Sequence, residues 1–150
     1  IAGLFYRAFV NEKLKRYNFA RLDYQNLLVL VPGNFQAQLG LALLNEKDQH
    51  LTEAYDGINS LIEQYPDSAV AYAARGGMEK ERGMLDLAVY DYGEAMRLDS
   101  TCQDYVVNHA DLLISLGRKS EAYDDLRRLQ TMGVKSGQLQ DFFARLRRKK

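Results

Sequence analysis

Two histidines, one cysteine and a few adjacent carboxylates are the residues from which catalysis or metal binding would first be built in this chain. His50 and His109 lie far apart, and neither has a second His or a Cys at metal-ligand spacing, so no metal site is expected. His109 falls on the inward side of a helical pattern, where a packed, hydrogen-bonded imidazole is expected rather than a base. Cys102 sits in a loop between helical stretches with no neighbouring His to activate it, which predicts a plain thiol. Gly76-Gly77 has the look of a phosphate loop. It lies inside a helical pattern rather than after a strand, however, and no Gly-Lys-Ser/Thr follows. Asp124 and Asp125, like Glu79 and Glu81, are assigned to solvated helix faces, where paired carboxylates without a pocket make no acid–base dyad. The expectation is a protein with no catalytic residue, no metal and no cofactor.

The elements that carry these residues follow from composition and periodicity. The chain has 150 residues, 47% of them hydrophobic, and only two prolines, which suits a folded domain with a real interior. The 20 basic and 20 acidic residues cancel, but five of the basic ones lie in the last six positions, RLRRKK. The body is therefore mildly acidic and the tail basic. Cations at a helix C-terminus complement the helix dipole. The tail is read that way, and neither nucleic acid nor membrane is expected as a partner. A single cysteine forms no internal disulfide framework, and no apolar run of membrane-spanning length, about 18 residues, is present. The first residue is Ile1 rather than Met, so something is expected to have been removed before it, whether a signal sequence, a larger N-terminal region or only a chosen starting point. The compartment stays open between cytoplasm and periplasm.

Laid against itself, the chain repeats with a period of about 34 residues. One column reads Ala20, Ala54, Ala88, Ala122, followed four positions later by Tyr24, Ile58, Tyr92, Leu126. A second reads Ala8, Ala42, Gly76, Ala110. Pro32 and Pro66 stand one period apart where a helix must end, as do Gly83 and Gly117 where a first helix would close in a left-handed residue. Each period thus reads as helix, short turn, helix, loop. In the third unit the helices are expected over 69–82 and 86–98. Small residues at 76 and 88 let antiparallel helices approach closely, and stacked neighbours bury a continuous seam. Residues 137–150 carry Leu139, Phe142, Phe143 and Leu146 at spacings of three and four. They are read as a helix capping the last unit, with the first helix of a fifth unit as the alternative.

These residues resemble the tetratricopeptide repeats, a family of helix–turn–helix units of about 34 residues, over positions 1–136. The third unit carries the most specific match, with Tyr72, Gly76, Gly83, Ala88, Tyr92, Ala95 and Leu98. The first two units depart from it, with Lys15 and Gln49 in place of the inter-helix Gly, and the fourth has Val106 for the aromatic and lacks the terminal proline. The resemblance implies an all-α, right-handed α-solenoid. It forms a single domain of four units, 1–34, 35–68, 69–102 and 103–136, plus the capping helix 137–150. It also implies a concave groove lined by the first helix of each pair, which here places Phe5, Phe9, Leu39, Leu43, Val70, Ala73, Val107 and Asp111 as peptide-binding residues. Ile114 falls on the same stripe. Family members that hold acidic chaperone tails use a two-carboxylate clamp of Lys, Arg and Asn. This chain has Phe5, Phe9, Gly40, Val70 and Ala74 at those sites, so that role is disfavoured. The leading function is a non-catalytic adaptor taking an apolar peptide or helix. The alternatives are a structural module that associates with another copy of itself and a regulatory fragment of a larger protein.

Overall fold

In a computed structural model, which describes residues 1–148, the described chain contains nine α-helices and no strand. They are α1 (Ala2–Lys13), α2 (Tyr17–Leu30), α3 (Phe35–Lys47), α4 (Leu51–Gln64), α5 (Ala69–Glu81), α6 (Leu85–Leu98), α7 (Gln103–Ser115), α8 (Lys119–Thr131) and α9 (Ser136–Arg148). They form two compact units, 1–66 and 67–150. The first holds the hairpins α1–α2 and α3–α4. The second holds α5–α6, α7–α8 and the single helix α9. Lys149 and Lys150, the last two residues of the basic tail, lie outside the described residues.

The punctuation read from the sequence sets these boundaries. Asn34 and Ser68 cap α3 and α5, their side chains accepting from the amides of Ala37 and Ala71 at 2.8 and 3.2 Å. Tyr65, the residue before Pro66, is driven out of the helical region and ends α4, and Val31 before Pro32 ends α2 in the same way. Each of the four hairpin turns holds one residue at positive φ. Gly83 and Gly117 supply it at 76° and 75°, whereas Lys15 and Gln49 are held there at 59° and 63°. A side chain in that region costs about 1–2 kcal/mol, partly offset by the greater unfolded-state freedom of glycine. Lys15→Gly and Gln49→Gly are each expected to stabilise the first unit by about 0.5–1 kcal/mol. Thermal melting checks this, and a lowered Tm for both would contradict it.

The alanine columns are the lines of closest helix approach. Ala8, Ala20, Ala42, Ala54, Ala88, Ala110 and Ala122 are all buried. In the first unit Ala8, Ala20, Tyr24, Leu27, Ala37 and Leu44 form one core cluster. In the second, Ala88, Tyr92, Leu113, Ile114, Leu126 and Leu129 form another. It continues into α9 through the fully buried Leu139 and Leu146, with Phe142 and Phe143 packed against it. The last helix is thus docked on the end of the fourth hairpin.

A second repeating feature is polar. Arg7 in α1 pairs with Asp23 in α2, Arg75 in α5 with Asp91 in α6, and His109 in α7 with Asp125 in α8, always 16 residues apart. The carboxylates are buried, at 2%, 1% and 6% exposure for Asp23, Asp91 and Asp125. Arg75 is bidentate, with Nε donating to Oδ2 at 2.7 Å and Nη2 to Oδ1 at 2.8 Å. The His109 imidazole is therefore hydrogen-bonded and half-buried. Asp125 and Glu79, however, are buried, contrary to their assignment to solvated faces; their neighbours Asp124 and Glu81 are exposed. A polar partner at the facing site of the other helix lets Asp125 tolerate burial, since a paired charge avoids the full desolvation penalty. The second hairpin has Leu41 and Gly57 at the equivalent positions. They line an open cavity of about 200 Å3 together with Leu28, Gln38, Asn45 and Ser60.

Candidate peptide groove

In the first unit, α1 and α3 flank an opening, and their stripes are read in steps of three and four: Phe5, Phe9 and Lys13 from α1, and Gln36, Gly40, Leu43 and Lys47 from α3. The opening is a cavity of about 280 Å3 lined by Phe5, Tyr24, Gln36, Leu39, Gly40 and Leu43. Phe9, one turn along α1 from Phe5, is 56% exposed and Leu43 38%, and Phe5 is half-buried. Leu39 departs from the expectation of an open groove residue. Only 8% of it is accessible, because it forms a wall of the cavity with its bulk turned into the fold.

Tyr24 is a cavity residue outside the expected set. It comes from α2, the second helix of its hairpin, and reaches under α3 because Gly40 has no side chain: a Cβ there would stand 2.5 Å from Tyr24 Cε1. The Tyr24 hydroxyl donates to Glu12 Oε1 at 2.6 Å, and Lys47 Nζ donates to Glu12 Oε2 at 3.1 Å. Burial first, then the hydrogen bond to Glu12, push the Tyr24 hydroxyl well above the ordinary tyrosine range. It therefore stays a neutral donor throughout the physiological range. A satisfied Tyr24–Glu12–Lys47 cluster thus ties α1 to α3, while Lys13 Nζ lies 5.3 Å from the centroid of the exposed Phe9 ring. The one signal for Tyr24 in the sequence is the pairing of an aromatic in the Ala-plus-four column with an off-pattern glycine at 40.

The second unit treats its four assigned groove residues differently. Val70 is 47% exposed, and Ala73 and Val107 are half-buried against the core cluster. Asp111 is engaged already, accepting from Lys80 Nζ at 2.9 Å and from Arg145 Nη1 of α9 at 2.5 Å. Ile114, on the same stripe, is fully buried. Burial acts to raise the Asp111 carboxyl, but the hydrogen bonds from Arg145 and Lys80 outweigh it and hold the group below the usual aspartate range. A carboxyl depressed in the folded state contributes stability above its unfolded value, about pH 3.9, and loses it as pH falls through the lower native value. The α9 contact should therefore weaken only in acid below about pH 4. Urea midpoints at about pH 7 and about pH 3 should show a larger acid loss for the native chain than for Asp111→Asn, and equal losses would contradict it.

Among the described residues no group of three or more His, Cys, Asp and Glu is arranged to hold a metal ion, and no helix is long and apolar enough to cross a membrane. Helical hairpins recurring at one fixed period, with alanine at their crossings and an opening between first helices, define the fold as that of a tetratricopeptide repeat protein. Comparison with solved structures agrees. A tetratricopeptide repeat protein from Parabacteroides merdae superposes with a TM-score of 0.85 at 17% identity, over 97% of this chain and 58% of its own. The first such domain of Spaghetti (RPAP3), solved bound to the HSP90 peptide SRMEEVD, gives a TM-score of 0.68 at 17% identity, over 77% of this chain and 91% of its own. No family model matches the chain. Among curated proteins, the asparagine–tRNA ligase of Buchnera aphidicola is 28% identical over 130 residues, 81% of this chain, and the chain spans 28% of that enzyme's length.

Proposed function

We propose that the chain is a non-catalytic docking module whose first unit takes an apolar side chain of a protein partner, presented on an extended or helical peptide, between α1 and α3. The observation that carries this reading is the open cavity of Phe5, Tyr24, Gln36, Leu39, Gly40 and Leu43, with Leu43 and the nearby Phe9 standing exposed. A cavity of about 280 Å3 with an apolar wall suits an aliphatic or aromatic side chain, with Gln36 available to bond the peptide backbone. The peptide in the RPAP3 structure ends in the acidic run EEVD. The apolar Phe5 and Phe9 on α1 favour a different class of ligand here. The test is selection from a displayed random-peptide library on the purified chain. Enrichment of peptides sharing one or two large apolar residues supports the reading. Enrichment of acidic C-termini, or of none, contradicts it.

A further inference from the structure

The residue before each second helix and the one three places further on form a matched pair in three of the four units. In the fourth, Arg118 donates through Nε and Nη2 to the Glu121 carboxylate at 2.9 and 2.7 Å. In the second, His50 Nδ1 lies 4.0 Å from Glu53 Oε2. The third has Met84 and Leu87, apolar at both places. Only the first unit keeps the cation and lacks the acid: Arg16 is followed by Phe19, which is 63% exposed. Among the described residues the Arg16 side chain has no hydrogen-bond or ion-pair partner. The first turn of α2 likewise holds no acid, whereas those of α4, α6 and α8 hold Glu53, Asp86 and Glu121 to complement the helix dipole.

Arg16 borders an open cavity of about 330 Å3, lined also by Arg7, Asn11, Phe19, Leu22 and Asp23. It lies on the side of α1 away from Phe5 and Phe9 and continues onto the outer face of α2. Asp23 is buried and already held: Arg7 Nε and Nη2 both meet its Oδ1, at 2.8 and 2.7 Å, and Asn11 Nδ2 donates to its Oδ2 at 3.1 Å. Arg7, its side chain 61% exposed, keeps its Nη1 donors, and Asn11 keeps its carbonyl oxygen to accept a backbone N–H. With Asp23 neutralised, Arg16 is the surplus charge at the edge, and Phe19 and Leu22 form an exposed apolar wall. The surroundings reinforce it. Residues 2–30 hold five cations against two acids, whereas residues 31–144 hold ten against eighteen.

We infer that this cavity docks an acidic linear segment of a partner protein. An internal Asp or Glu carboxylate takes on Arg16 the place that Glu121 takes on Arg118, and a neighbouring Phe or Leu packs on Phe19 and Leu22. Charge complementarity selects this occupant: the first hairpin supplies the unmatched cation, and the apolar wall beside it calls for a side chain that a bare anion lacks. Nucleic acid fits less well, because it needs phosphate contacts spread along a basic face and leaves that wall uncovered. The groove between α1 and α3 is not part of this site.

Selection on the Phe9→Glu, Leu43→Glu chain tests the site with the groove closed, so its outcome and that of the groove reading stay separate. The random-peptide library is displayed with both peptide ends fused, so that no free C-terminus is offered. It should enrich peptides with Asp or Glu beside Phe or Leu. A selected peptide with blocked ends, followed by fluorescence anisotropy on the native chain, should bind more weakly as salt is raised. Arg16→Glu should weaken it by about 30-fold or more and Phe19→Ala by about 10-fold. Both residues are exposed, and an acid at a helix N-terminus is favourable, so Tm should hold or rise slightly. Arg147→Glu, the same charge change on α9, should leave the affinity unchanged. Enrichment of apolar peptides without an acid, or of no peptide, overturns the inference. So does an affinity that survives Arg16→Glu or falls equally with Arg147→Glu. Displacement of the peptide by oligothymidylate at lower concentration than by unlabelled peptide overturns it too, since the site would then prefer phosphate.

Discussion

Arg75→Leu should destabilise the second unit by about 3–5 kcal/mol, a large share of the ~5–15 kcal/mol that holds a typical domain folded. The Asp91 carboxylate is 1% exposed and takes a hydrogen bond on each oxygen from the Arg75 guanidinium. Removing the cation leaves a desolvated charge that must either stay unpaired or take up a proton, and both are costly. The chain itself holds the remedy. The second hairpin folds with Leu41 and Gly57 where the others have an arginine or a histidine and an aspartate. The double variant Arg75→Leu, Asp91→Ala should therefore recover most of the loss, because an apolar replacement of the whole pair is often close to neutral. Urea unfolding of the two single variants and the double gives the cycle. A single-variant cost below about 1 kcal/mol would show that Asp91 is not held by Arg75. At Arg7 the same substitution should cost less, since Asp23 keeps a second donor in Asn11 at 3.1 Å and the arginine side chain is largely exposed.

The second large effect is on binding. Phe9→Glu with Leu43→Glu should weaken the association with a selected apolar peptide by two or more orders of magnitude. Each apolar side chain buried in an interface is worth about 1.5–3 kcal/mol, and a carboxylate in its place adds a desolvation cost. Both residues are exposed in the isolated chain, so helicity and Tm should move little. Leu39→Glu is the informative contrast. With Leu39 8% exposed, it should unfold the first unit rather than merely clear the groove. Titration calorimetry and melting curves on the double variant and on Leu39→Glu separate the two effects. Unchanged affinity in the Phe9, Leu43 pair would place the peptide elsewhere.

The helices and their turns are legible in the sequence because their signals are local. Proline, glycine and capping residues act within a few positions of themselves, and the alanine columns recur once per hairpin. The ion pairs are half legible. His109 reads as interior, but Asp125 reads as solvated until the imidazole facing it from the other helix of the hairpin is known, and Glu79 gives no sign of its burial at all. The first helices alone bring Phe5, Leu39 and Leu43 to one cavity but omit Tyr24, a second-helix residue admitted by the missing side chain at Gly40. Asp111 falls on an open groove by its spacing, and there Arg145 of α9 occupies it. That contact depends on where the ninth helix docks, which periodicity within a hairpin does not encode.

Amide chemical-shift mapping of the isotopically labelled chain, titrated with a selected apolar peptide, is the sharpest test of binding between α1 and α3. Saturable shifts should concentrate on those two helices, at Phe5, Phe9, Gln36, Gly40 and Leu43, with the outer face of α2 and the Asp111–Arg145 contact unmoved. Shifts that leave α1 and α3 untouched and gather on α7 and α9 would contradict it.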